Sequence, residues 1–236
     1  MSLSSPITNS IKNNISCLSF QPKNILIEIY ERLYNRFGPQ HWWPADSPFE
    51  VMVGAILTQN TNWQNVEKSI RNIREAGLLD ARLLLKNKKK IPELVKPSGY
   101  YRLKAERLVN FLQFFVNKYD ADVDRLKKIK TEKLRQDLLG VKGIGPETAD
   151  SILLYALNRP VFVIDAYTRR IFIRHKIIDE RFKYEEIRKF FEENLPADFR
   201  LYNEYHALLV KLGKIFCKKN EPLCNSCPLF NLFSKP

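Results

Sequence analysis

The chain is 236 residues long and carries 39 Lys and Arg against 26 Asp and Glu, a net charge of +13. That length buries a sizeable core as one large domain or two small ones. The basic balance suits a polyanionic partner, although a merely basic soluble protein would share it. No apolar run reaches the roughly 18 residues that a membrane span needs. Three of the four cysteines crowd into the last 20 residues, which speaks against a secreted disulfide framework.

Met1 to Lys23 is polar, rich in Ser and Asn and without period, and is expected to be disordered. It lacks the charged-then-apolar pattern of a signal peptide, so the expected location is cytoplasmic, with the nucleoid in a bacterial source. Cys17 lies in this segment. Ile25, Ile29, Leu33 and Phe37 mark one face of a helix that Gly38-Pro39 stops. His41-Trp42-Trp43-Pro44 follows as an aromatic loop. Either the tryptophans plug a core edge, or one of two neighbours that cannot point the same way faces a pocket. Ser47-Pro48-Phe49-Glu50 reads as a capping box with proline at N1, opening a helix to Leu57. Thr58-Gln59-Asn60-Thr61 is then a turn of amide side chains. Trp63, just beyond it, is open between core packing and a pocket wall.

Lys86-Asn87-Lys88-Lys89-Lys90 reads as a solvated basic face. Pro97-Ser98-Gly99-Tyr100-Tyr101 is a turn opening a helix with Ala105, Leu108, Leu112 and Phe115 on one face, and the two tyrosines read as packing residues. Short helices over Asp122 to Ile129 and Thr131 to Leu139 lead into Leu139-Gly140-Val141-Lys142-Gly143-Ile144-Gly145-Pro146-Glu147-Thr148-Ala149-Asp150. This is a helix, a glycine hairpin and a second helix. Gly143 and Gly145 permit positive φ and close approach of another backbone, and Pro146 suits a first helical position. Amides of Gly143, Gly145 and Glu147 at a helix N-terminus would welcome one phosphate. Asp165 comes 20 residues after Gly145, following the apolar run Val161-Phe162-Val163-Ile164. It reads as the N-cap of a new helix, where orphan amides favour a carboxylate.

Further helices are expected near Thr168–His175, Tyr184–Asn194 and Phe199–Phe216. His41, His175 and His206 are scattered without ligand-spaced partners and read as structural or exposed rather than metal-binding. Cys217, Cys224 and Cys227 have the spacing Cys-x6-Cys-x2-Cys followed by proline, which suits a metal or iron–sulfur site. No segment shows the long alternation of a sheet strand, so the expected fold class is all-α.

The hairpin, the Gly/Pro-rich loop and the aspartate, in that order and spacing, resemble the endonuclease III superfamily of helix-hairpin-helix DNA glycosylases, over about Ile25 to Cys227. Trp42-Trp43-Pro44-Ala45-Asp46 and Leu57-Thr58-Gln59-Asn60-Thr61 look most like its 3-methyladenine DNA glycosylases. The resemblance implies two helical lobes with the active site in the cleft between them. One is a barrel over 42–159; the other combines 24–41 with 160–236.

It also implies a base-excision enzyme that acts as a monomer on double-stranded DNA with a damaged base. Asp165 would be catalytic, and Trp42, Trp43, Trp63 and Glu147 would form the base pocket. Gln59 or Asn60 would be the wedge filling the gap of an extruded nucleotide, and Lys142, Gly143, Gly145 and Thr148 would hold the DNA backbone. Bifunctional members carry a lysine nucleophile where this chain has Glu147, so a monofunctional hydrolase acting on an alkylated purine is expected. The alternatives are a bifunctional glycosylase/lyase for oxidised bases and a non-catalytic DNA-binding module.

Many members hold a [4Fe–4S] cluster with Cys-x6-Cys-x2-Cys-x5-Cys. Here the fourth position is Phe233, so cluster, zinc and no metal all stay open, with Cys17 a remote fourth ligand. The chemistry itself needs no cofactor.

Overall fold

The computed structural model describes residues 21–232. Cys17, Phe233 and the expectation of a disordered N-terminus lie outside them. Among the described residues there are twelve α-helices, short 3-10 turns and no strand. In chain order these are α1 (Pro22–Phe37), α2 (Pro48–Leu57), α3 (Trp63–Glu75), α4 (Ala81–Lys86), α5 (Ile91–Leu94) and α6 (Tyr101–Tyr119). Then come α7 (Val123–Lys128), α8 (Thr131–Leu139), α9 (Pro146–Ser151), α10 (Ala166–Arg174), α11 (Tyr184–Asn194) and α12 (Phe199–Ile215). The chain forms two compact units. One spans Trp43–Pro160; the other joins the described residues up to Trp42 with those from Val161 onward.

In the Trp43–Pro160 unit, α2 is the core helix, and every residue from Phe49 to Leu57 is buried. A helix apolar on all sides has to be surrounded. Its start departs from the expected capping box. Ser47 Oγ accepts from the Glu50 amide at 3.2 Å. The Glu50 carboxylate, however, takes the Asp46 amide at 3.1 Å rather than that of Ser47. It also accepts from Arg74 of α3 at 2.8 Å. Glu50 is buried, and the arginine supplies the countercharge that a buried carboxylate requires.

The C-terminal end of α2 is held by another buried charge. Lys104 of α6 is 1% exposed. Its ammonium donates to Leu57 O at 2.8 Å and Ser98 O at 2.6 Å. The lysine thus ties together the two turns that follow, Thr58–Thr61 and Gly99–Tyr101. Tyr100 does not pack as expected. It is 74% exposed, with φ 45°, because the turn after Gly99 points it outward.

In the other unit, α1 lays Ile25, Leu26, Ile29 and Leu33 into the core and stops at Gly38, at φ 67°. Tyr205 of α12 donates its hydroxyl to Leu26 O at 2.7 Å. Val161–Ile164 is buried, belongs to no helix and, among the described residues, pairs with no strand. Its amides are satisfied by side chains instead: Phe162 N–H by Glu192 at 2.9 Å and Ile164 N–H by the Tyr184 hydroxyl at 3.3 Å. Phe162 stacks on Phe191 with centroids 4.1 Å apart. Helices α10 and α12 approach closely because residue 213 is glycine; a Cβ there would lie 2.3 Å from Tyr167 Cδ1.

Burial lowers the Lys104 pKa to about 8, with Arg107 adding to the shift. The unfolded value is about 10.4. Between these, the unfolded chain binds a proton that the folded chain has released, so this group makes stability rise with pH. We expect Lys104→Met to cost on the order of 2 kcal/mol by leaving two carbonyls short of a donor. Urea unfolding should show the stability gap to wild type widening from pH 8 to pH 10, because the variant lacks that slope.

Candidate functional site

Residues 140–145 form a tight hairpin between α8 and α9. The Val141 amide bonds Leu138 O, and the Ile144 amide bonds Val141 O, both at 3.0 Å. Glycine is required twice over at Gly143. Its φ is 95°, and a Cβ there would lie 2.3 Å from Arg107 Cγ. Gly145 differs from the sequence reading: its φ is −93°, an extended conformation open to any residue. What its missing side chain leaves is space, since nothing lies within 4 Å of a Cβ built there. That space fronts the N-terminus of α9, whose helical path continues through a π-helical stretch, Ile152–Ala156.

The hairpin is braced from behind. Arg135 grips the buried Asp150 with two bonds of 2.6 and 3.0 Å, fixing α9 to α8. Gln59 donates to Thr148 Oγ1 at 2.8 Å and to Gly143 O at 3.2 Å, and accepts from Arg107. The expected wedge thus lies against the hairpin. Thr148 is buried, and its hydroxyl accepts from Gln59. Asn60 is exposed at the turn's tip with φ 54°, a conformation asparagine tolerates. Lys142 is exposed and paired with Glu106 at 2.8 Å, and this partner raises its pKa. Arg107 was not singled out as a site residue; its contacts lie 36 to 48 positions away, beyond any local pattern.

Trp43 and Trp63 come together. Trp43 meets Trp63 edge to face at 5.0 Å and Tyr155 at 5.1 Å. Gly54 of α2 admits the Trp43 ring, and a Cβ there would sit 3.1 Å from Trp43 Cζ2. Trp42 is half-buried and falls in the other unit. Glu147 is exposed on the first turn of α9.

Asp165 is the N-cap of α10. Its Oδ1 accepts from the Thr168 amide at 2.7 Å. The other oxygen lies 3.7 Å from Nε2 of His206 on α12, and both side chains are largely buried. Burial pulls the His206 pKa down, against the pull of the Asp165 charge, which keeps the imidazole neutral at neutral pH. Only the fold reveals His206 beside Asp165; in the sequence it is one of several polar positions on an amphipathic helix.

At the other end of α10, Arg170 donates to Cys217 O at 2.7 Å and to Gly213 O at 3.1 Å. Arg174 Nη1 donates to Cys217 Sγ at 3.3 Å. Cys217, Cys224 and Cys227 are free thiols that line one cavity of about 320 Å³, together with Arg174 and His175. Among the described residues, no three His, Cys, Asp or Glu side chains converge closely enough to hold a single ion.

Residues 53–197 match the HhH-GPD superfamily base excision DNA repair protein family. This chain belongs to that family. It is a base-excision DNA repair glycosylase. A Methanocaldococcus jannaschii protein, provisionally named a DNA repair glycosylase, is 49% identical over 87% of this chain and 94% of its own length. Endonuclease III of Thermotoga maritima is 30% identical over 86% of this chain and 90% of its own. Among solved structures, an H. pylori 3-methyladenine DNA glycosylase bound to 1,N6-ethenoadenine aligns with TM-score 0.69 at 28% identity, covering 83% of this chain and 98% of that one. A non-covalent endonuclease III–DNA complex aligns with TM-score 0.76 at 19% identity over 90% and 95%, which supports the helical fold alone.

In this HhH-GPD glycosylase three cysteine thiols line one cavity, with the Arg174 guanidinium 3.3 Å from Cys217 Sγ. No helix among the described residues is long and apolar enough to cross a membrane.

The hairpin geometry separates folding from binding. Aspartate is a favoured N-cap, and Gly145 has room and φ for it. Gly145→Asp should therefore fold with unchanged or slightly raised Tm. If the turn holds a DNA phosphate, the variant should also bind any duplex about tenfold more weakly at moderate salt, because it sets an anion in that space. Wild-type affinity in a binding titration would remove the phosphate from this turn.

Proposed function

We propose that this glycosylase is monofunctional: it hydrolyses the N-glycosidic bond of an extruded alkylated purine such as 3-methyladenine and leaves an intact abasic strand. The observation carrying this reading is the state of the amines near the hairpin. A lyase needs a neutral amine aimed at C1′. The position matching the family's lysine is Glu147. Lys142 is held charged by Glu106. Lys104 has a lowered pKa, but it is buried with its donors committed to two carbonyls.

Hydrolysis fits the remaining groups. An alkylated purine is cationic and already a good leaving group, so no strong general acid is required. Electron-rich indoles such as Trp43 and Trp63 favour such a cation, and Glu147 adds a negative charge in the same unit. As the bond breaks, positive charge grows on the sugar. A carboxylate fixed by the Thr168 amide stabilises it without reorganising and accepts the proton of the attacking water. His206 orients the second oxygen of that carboxylate. A cluster held by Cys217, Cys224 and Cys227 would supply structure to the end of α10 and no step of base removal. The H. pylori structure supports the alkylated-purine class. The 30% identity to T. maritima endonuclease III favours a second reading, a lyase acting on oxidised bases.

Base release from a methylated duplex tests the assignment. Wild type should free 3-methyladenine in single turnover. Asp165→Asn should bind the same duplex within a few-fold of wild type while excising on the order of a hundredfold more slowly, as for loss of a main electrostatic stabiliser. Equal excision by the variant would remove Asp165 from the mechanism. Release of oxidised pyrimidines in place of the alkylated purine would move the substrate class.

A further inference from the structure

We propose that His175 is the fourth ligand of a [4Fe–4S] cluster held by Cys217, Cys224 and Cys227. The inference is independent of the substrate assigned above, since a glycosylase without any cluster would still excise bases. Its starting point is the cavity of about 320 Å³ at the end of α10. The side chains lining it that can ligate a soft metal are the three cysteines and His175; the rest are Arg174, Asn231 and the apolar Phe216, Leu229, Phe230 and Leu232. Among the described residues the His175 imidazole has no hydrogen-bond partner, and His175 lines the same cavity as the three thiols. It directly follows Arg174, whose guanidinium reaches Cys217 Sγ at 3.3 Å.

The arrangement also selects the kind of metal group. Zinc draws four donors to about 2.0–2.3 Å from one point. Here three thiols and an imidazole-bearing residue line one volume of about 320 Å³. Donors spread around a volume suit a polynuclear group, each ligand meeting its own iron. Histidine in place of cysteine on iron has precedent in iron–sulfur chemistry, where it raises the reduction potential. A fourth thiol is not at hand by spacing, because residue 233 is phenylalanine. The N-terminal Cys17 is the competing donor.

The test uses the full chain, reconstituted anaerobically with iron and sulfide. Wild type should turn brown and hold about four irons and four sulfides per chain. After reduction, pulsed EPR of protein carrying 15N-histidine should show nitrogen coupled to the cluster. His175→Ala should lose that coupling and about one iron in four, giving a three-iron centre. His175→Cys should keep all four irons without the nitrogen coupling, which excludes misfolding as the cause. Cys17→Ala should behave as wild type. The proposal is overturned by a wild-type cluster lacking histidine coupling, by full iron content in His175→Ala, by loss of iron in Cys17→Ala, or by a wild-type chain that takes up zinc or nothing.

Discussion

The chemistry of the Val161-onward unit depends on the docking of α10 against α12. Gly213 makes it possible by admitting Tyr167 where any side chain would collide. Once docked, α10 has Asp165 at its first turn beside His206, and Arg170 and Arg174 at its last turns holding the chain around Cys217. A carboxylate assigned to bond cleavage and a cavity lined with thiols are therefore the two ends of one nine-residue helix. A side chain at Gly213 would disturb both together, although it touches neither.

The Trp43–Pro160 unit solves a different problem, presenting backbone amides at a turn without letting the turn relax. Gly143 accepts the positive φ, Arg107 fills the space where its Cβ would be, and Gln59 crosses from the neighbouring turn to Gly143 O and Thr148. Lys104 fixes the start of that same turn through Leu57 O. Burying a lysine is unfavourable, as its lowered pKa records. Its two hydrogen bonds offset that cost and order the Gln59-Asn60 tip.

What was legible in the sequence was what short-range chemistry decides. The Asp165 N-cap, the stop at Gly38, the hairpin and the buried faces of α1 and α6 all follow from residues within a turn or two of each other. The Ser47 cap was legible as well, but its partner was not: Arg74 is 24 positions beyond Glu50 and draws the carboxylate away from the expected amide. For the same reason Gln59 read as a candidate wedge without its partners on the hairpin. Gly145 read as a positive-φ residue and Tyr100 as a packing residue, and their backbone conformations decide otherwise. His206 and Arg107 gave no local signal, because a polar residue on a helix acquires its role only from the neighbour the fold brings to it.

The central claim is that this family member cleaves by water and not by an amine. The most direct measurement is borohydride trapping during turnover on an alkylated duplex, with the product strand resolved under denaturing conditions that preserve abasic sites. The account predicts free base, a full-length strand containing an abasic site, and no covalent protein–DNA band. A trapped complex formed efficiently by the wild-type chain, accompanied by strand cleavage and abolished by replacing a single lysine, would contradict it.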